Sequence, residues 1–311
     1  MKVLVSEHQL SQIFHHIKQE YKIWGPSEID GKLVFGELAN FHHVPLPLPK
    51  SIIPFKNLLY PNRRLQETSL RDQKIAIWGM TNCDAKALKI FLEEFSQTDL
   101  LPREILRIIY HCQPDQNCFC TAFERGKIDN FDLFIEKEGD HFALFSGSAK
   151  GKEILKRQHL KKASNEEPPE IVLKNVTKIN KKKLSETVDD KASREEFWQD
   201  IGDNCFGCGA CTAVCPLCFC TKKEYMNTTD GSFLKCSGRD SCFAKSFSEI
   251  QNHLDFRPTN KDRLYNWYHH KFVRAYDKSG HFLCTGCGRC IAACPAHLNQ
   301  HKIMEDLGKN A

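Results

Sequence analysis

The strongest constraint on this chain is a cysteine pattern written twice. Cys205, Cys208, Cys211 and Cys215 are followed by Pro216, and Cys284, Cys287, Cys290 and Cys294 are followed by Pro295, so C-x2-C-x2-C-x3-C-P occurs twice without deviation. That spacing wraps three thiolates around one iron-sulfur cubane, while a helix starting after the third cysteine carries the fourth toward a second cluster. The pattern therefore predicts two 4Fe-4S clusters with crossed ligands. Cys205, Cys208, Cys211 and Cys294 serve the first, and Cys284, Cys287, Cys290 and Cys215 the second. Gly207, Gly209, Gly286 and Gly288 let the backbone curl tightly and turn N–H groups toward the sulfurs.

Three rival readings of the cysteines are weaker. A zinc ribbon needs two separated C-x2-C pairs and four ligands, not two complete four-cysteine runs each closed by proline. Disulfides would belong to an oxidising compartment. Cys211, Cys215 and Cys218 spell the C-x3-C-x2-C spacing of radical S-adenosylmethionine enzymes, but His297 stands where the second run would repeat Cys218, and too little chain follows for their barrel.

The remaining eight of the 16 cysteines have no such spacing. Cys218, Cys220, Cys236 and Cys242 lie between the runs. Cys83, Cys112, Cys118 and Cys120 fall near expected strand ends, where they could form a third metal site or remain free buried thiols.

Ahead of the runs, periodicity describes an α/β domain. Ser6 and Gln9 make a capping box before Leu10, Ile13, Phe14, Ile17 and Tyr21, which share one helical face. Ile75 to Trp78 reads as a buried strand, with Thr81, Asn82 and Asp84 opening a helix over Leu88, Phe91, Leu92 and Phe95. Ile105 to Tyr110 is a second strand, and Phe131 to Glu138 with Phe142 to Ser146 a hairpin turning at Gly139 and Asp140. Lys-rich sequence broken by Pro168 and Pro169 follows and reads as a solvated linker. Ser193 and Glu196 form a further capping box leading through Phe197, Trp198 and Ile201 to the first run.

The expected fold class is thus α+β. An N-terminal α/β domain covers 1–150, a charged linker 151–192, and a ferredoxin-type dicluster domain 193–311, with a long insertion between the runs.

Composition removes several function classes. A net charge of +5 on 311 residues gives no reason to invoke nucleic acid, and the basic-aromatic stretch Arg263, Tyr265, Trp267 and Tyr268 reads as core or interface. His269 and His270 beside Lys271 suggest a ligand pair or an anion site, but adjacent residues do not face one point on a helix, so ordinary packing or exposure is the favoured reading. No apolar run approaches the roughly 18 residues of a membrane span, and the N-terminus lacks a secretory pattern, so a cytoplasmic location is expected. No G-x-G-x-x-G after a strand, P-loop or nucleophile elbow is present, which leaves no catalytic residue to name.

Most of the chain resembles the iron-sulfur beta subunit of cytoplasmic NAD(P)-linked nickel-iron hydrogenases, the sulfhydrogenases, and the related A subunit of anaerobic sulfite reductase. The resemblance rests on Pro49-Lys50 with Pro54, Cys83-Asp84 with Ala87-Leu88, Cys118-Phe119-Cys120, Cys218-Phe219-Cys220, Asp240-Ser241-Cys242, His270-Lys271-Phe272 and Gly286-Cys287-Gly288-Arg289-Cys290. Arg239 stands where the family usually has Trp, and Thr81 near a usual Arg.

The resemblance implies a subunit that is not catalytic alone. It would relay electrons between a flavin subunit meeting NAD(P)H and a catalytic metal subunit, most readily a nickel-iron hydrogenase. The sulfite reductase branch, a catalytic oxidoreductase with its own N-terminal site, and a free-standing carrier remain as alternatives.

Overall fold

The computed structural model describes residues 1–41, 46–59, 63–64, 72–96, 102–123, 126–158, 160, 162–174, 176–227, 229, 231–250 and 254–309. The strands, in chain order, are β1 (Lys2–Val5), β2 (Lys22–Ile29), β3 (Lys32–Glu37), β4 (Arg63–Arg64), β5 (Lys74–Met80), β6 (Glu104–Tyr110), β7 (Leu133–Glu138), β8 (His141–Ser146), β9 (Lys162–Ser164), β10 (Thr221–Asn227) and β11 (Phe233–Arg239). They belong to two units that interleave along the chain. The first comprises Met1–Leu59, Ser69–Gln116 and Arg125–Val172, and the second Tyr60–Thr68, Asn117–Glu124 and Leu173–Ala311.

The first unit is built on an eight-stranded mixed sheet in the order β3-β2-β5-β6-β7-β8-β1-β9. Its centre is parallel, from β2 through β5 and β6 to β7, and both flanks are antiparallel. Parallel strands are normally covered on both faces. Accordingly, every β5 residue from Ile75 to Met80 is buried. The helix Glu7–Lys18 lays Leu10, Ile13, Phe14 and Ile17 into the core that holds Ala76, Trp78, Leu106 and Ile108.

Its expected cap is present, with Ser6 Oγ accepting from Gln9 N at 3.3 Å and Gln9 Oε1 accepting from Ser6 N at 2.9 Å. Thr81 caps the helix Asn82–Glu94 that crosses from β5 to β6. The hairpin turns at Gly139, whose φ of +62° suits a residue without a Cβ.

The second unit packs its helices around Trp198, Trp267, Tyr268, Phe272 and Phe282. Thr259 and Asp262 form a capping box ahead of the helix Asn260–His269, which runs into a π-helical turn over His270–Arg274. Tyr268 is completely buried and donates to Gln300 Oε1, which makes the basic-aromatic stretch core. No helix among the described residues is long and apolar enough to cross a membrane.

The boundaries drawn from sequence need correction. Residues 151–192 are not a plain linker: the helix Ala149–Arg157 extends into them, β9 joins the first sheet, and the helix Lys181–Asp189 buries Leu184 and Val188 in the second core. Asn117–Glu124 lies inside the expected first domain yet belongs to the second unit. Ser193 does not cap the helix Glu195–Asp203, because its Oγ donates to Asp190 O and its N–H to Asp190 Oδ1. Arg194 occupies the cap position with no side-chain bond.

Leu184→Ala is expected to cost about 2–5 kcal/mol through a buried cavity. A solvated linker position would change stability by only about 0.5 kcal/mol. Denaturant unfolding of the full chain, followed by tryptophan fluorescence, distinguishes the two.

Candidate metal centre

The two cysteine runs fold as copies of one local design. Gly207 and Gly209 take φ of +63° and +73°, and Gly286 and Gly288 take +67° and +72°. Each second glycine caps a short helix, Ala210–Val214 in the first run and Arg289–Ala292 in the second. Each helix therefore begins one residue before the third cysteine rather than after it, and the fourth cysteine lies past its end.

Backbone amides point at the first and fourth sulfurs of both runs. Gly207 N donates to Cys205 Sγ and Gly286 N to Cys284 Sγ, both at 3.4 Å. Leu217 N and Leu298 N donate to Cys215 and Cys294 Sγ at the same distance. Such donors offset thiolate charge.

The glycines of the second run are also required by crowding. A Cβ on Gly286 would stand 2.6 Å from Cys120 Cα, and one on Gly288 2.0 Å from Asn117 O. Asn117–Cys120 therefore buttresses this loop, and Phe119 N donates to Gly286 O at 2.8 Å. Cys118 Sγ donates to Cys287 O at 3.9 Å.

The fourth cysteine of each run lies with the other run. A cavity is lined by Cys205, Cys208 and Cys211 together with Cys294, and its other walls include Phe243, Leu264 and Leu298. Burial raises the Cys205 thiol, with Cys294 and Cys208 adding to the effect. Burial likewise pushes Cys284 up to about 12 against the opposing charge of Lys271, while Cys215 and Cys287 add to the rise. Cys290 is raised well above the thiol range by burial and then by Cys287, Cys284, Cys215 and Cys211. Cys211 is pushed to about 12 by burial, with Cys205 and Cys215 contributing.

Among the described residues, no three His, Cys, Asp or Glu side chains close on a single metal ion. A four-iron cage asks its thiolates to surround a larger body. The cavity, the amide donors and the all-sulfur donor set fit that requirement.

The other cysteines divide between the units. Cys83 and Cys112 belong to the first, where Cys83 Sγ lies 3.1 Å from Thr81 Oγ1. Cys118 and Cys120 belong to the second. Cys242 is raised by a hydrogen bond with Cys220 and then by burial, with Cys218 and Cys211 nearby. Asp240 N donating to Cys220 O at 2.8 Å closes the base of the β10–β11 hairpin and brings these thiols together. The Cys236 side chain lies outside those described.

Residues 204–298 match the family model described as a 4Fe-4S dicluster domain. The chain carries a 4Fe-4S dicluster domain. Over 95% of its length the chain is also similar to the sulfhydrogenase 2 subunit beta of Pyrococcus furiosus, with 27% identity in an alignment of 322 positions that covers 95% of that protein as well. The resemblance is thus to the iron-sulfur beta subunit of a sulfhydrogenase. No solved structure matches.

Lys271, which in the sequence stands beside His269 and His270 in a disfavoured anion-site reading, lies in the dicluster domain. It is 2% exposed, and its Nζ donates to Cys215 Sγ at 3.4 Å, Leu217 O at 3.4 Å and Leu283 O at 2.8 Å. Its place in the His270-Lys271-Phe272 motif was the available signal.

Crossed ligation predicts that Cys294→Ser perturbs the cluster bound mainly by the first run, and Cys215→Ser that of the second. Electron paramagnetic resonance of each reduced variant reads this directly. Variants that each alter only the cluster of their own run contradict the scheme.

Proposed function

We propose that this chain is a cytoplasmic electron-transfer subunit that carries two 4Fe-4S clusters, one on Cys205, Cys208, Cys211 and Cys294, the other on Cys284, Cys287, Cys290 and Cys215. It passes electrons between a flavin subunit that binds NAD(P)H and the catalytic metal subunit of a hydrogenase or sulfur reductase. The observation that carries the reading is the dicluster domain inside a chain similar to a sulfhydrogenase beta subunit over 95% of its length.

When bound, a cubane stores and releases one electron without bond chemistry in the protein. The chain's residues set the conditions for that exchange. The thiols hold and space the sites, the amides of Gly207, Gly286, Leu217 and Leu298 stabilise sulfur charge, and Phe243, Leu264 and Leu298 limit water at the first set.

A third metal site drawing on Cys83, Cys112, Cys118 and Cys120 is a separate proposal, and metal analysis discriminates it. Anaerobically purified chain is expected to hold about eight iron and eight acid-labile sulfide, as two cubanes require. About four in folded protein removes the two-cluster reading, and about twelve adds a third cluster.

Partner identity separates the remaining branches. Purification from the native cell is expected to bring down a flavin subunit and a nickel-iron hydrogenase pair, whereas a sirohaem subunit would place the chain with sulfite reductase. Pure chain is expected to accept electrons from a strong reductant without oxidising hydrogen or reducing sulfite. Turnover by the pure chain would instead reveal a catalytic site of its own.

A further inference from the structure

Lys271 is a buried ammonium without a carboxylate partner. Among the described residues it makes no ion pair with Asp or Glu, and its three N–H donors are all taken by Cys215 Sγ, Leu217 O and Leu283 O. Nζ also lies 5.3 Å from the centroid of Trp267. A charge taken out of water without an opposite charge is strongly unfavourable, so the site calls for an anion beside it. The group in contact is a thiol of the second ligand set.

The placement is specific. Lys271 lies in the π-helical turn His270–Arg274, a local departure from the α-helix that is frequent at functional sites. Its own carbonyl accepts from Leu283 N at 3.1 Å while its ammonium donates to Leu283 O, so one residue is clamped to the chain just before Cys284. Through Leu217 O the same ammonium holds the chain just after Cys215-Pro216. It therefore ties together two segments distant in sequence that both supply the second set. The cavity of the first set has no charged residue in its lining.

We propose that Lys271 is the built-in countercharge of the second ligand set, fixing Cys215 against Cys284 and raising the reduction potential of that cluster above that of the first. The inference rests on the two-cluster reading given above. Adding one electron to a thiolate-bound cluster adds one negative charge and moves no proton, so a fixed positive charge in contact with the ligand sphere favours the reduced form. The first set feels this charge only through space at Cys211, with no hydrogen bond from it. An electron shared by the pair then rests on the second set.

The test is a redox titration of full-length chain, loaded anaerobically and followed by electron paramagnetic resonance, after iron and sulfide have been counted. In Lys271→Gln the iron content is expected to stay near eight. The higher potential should fall so that the reduced-to-oxidised ratio at a fixed potential drops at least tenfold, about 59 mV for a one-electron couple. The lower potential should move by less than the higher one, and Lys271→Arg should keep the native values.

A fully loaded Lys271→Gln chain with both potentials unchanged overturns the proposal. If that variant does not load its second cluster, the native chain decides, because the signal lost in Cys287→Ser must be the one of higher potential. Loss of the lower-potential signal overturns the proposal. Native chain holding only about four iron overturns the two-cluster reading and this inference with it.

Discussion

Thiols gathered in a water-poor core resist ionisation, and the second unit is organised around that resistance. Burial lifts Cys211 and Cys284 to about 12, and each neighbouring sulfur makes the next proton harder to remove. In the metal-free chain near neutral pH these groups remain neutral and add no charge to the core. They become ligands only when a cation replaces their protons, so loading releases protons and weakens as pH falls. Amide donors and Lys271 add the positive field that the loaded state needs.

Holding eight sulfurs at defined separations requires rigid support from outside the runs. The second run obtains it from Asn117–Cys120, whose backbone occupies the space beside Gly286 and Gly288. At the first run, Thr212 Oγ1 bonds Ser241 Oγ at 2.8 Å, so the chain after the β10–β11 hairpin is pinned to the helix carrying Cys211. Asn260 Nδ2 donates to Cys205 O at 2.6 Å from the start of the next helix. Each loop is short and irregular, and each is fixed by a neighbour distant in sequence.

The parts legible in sequence were those set by local periodicity or spacing. The Ser6–Gln9 cap, the β5-helix-β6 unit and the hairpin at Gly139 all rest on residues within a few positions of one another. The helix Lys181–Asp189 was hidden because three lysines open it and, of its buried residues, only Leu184 and Val188, four apart, are apolar. Ser193 resembled a cap because spacing alone does not report that Asp190 offers its oxygens to it. The buttress at Asn117–Cys120 and the ammonium of Lys271 arise from long-range contacts that no periodicity encodes. Sequence could name the cysteines, but not what charges and braces them.

Within the crossed scheme, each short helix belongs to both sites. Cys211 and Cys215 serve different clusters yet stand four residues apart, Cys211 inside the helix Ala210–Val214 and Cys215 just past its end. Cys290 and Cys294 repeat the relation. The two sets are therefore tied by one short segment on each side, which keeps them close together. A fixed short separation removes distance as a variable in exchange between the sets. What remains adjustable is their relative potential, which depends on local charge, and the charge hydrogen-bonded to a ligand of one set is Lys271. On this scheme electrons pass between neighbouring sites, and the ammonium governs where they rest.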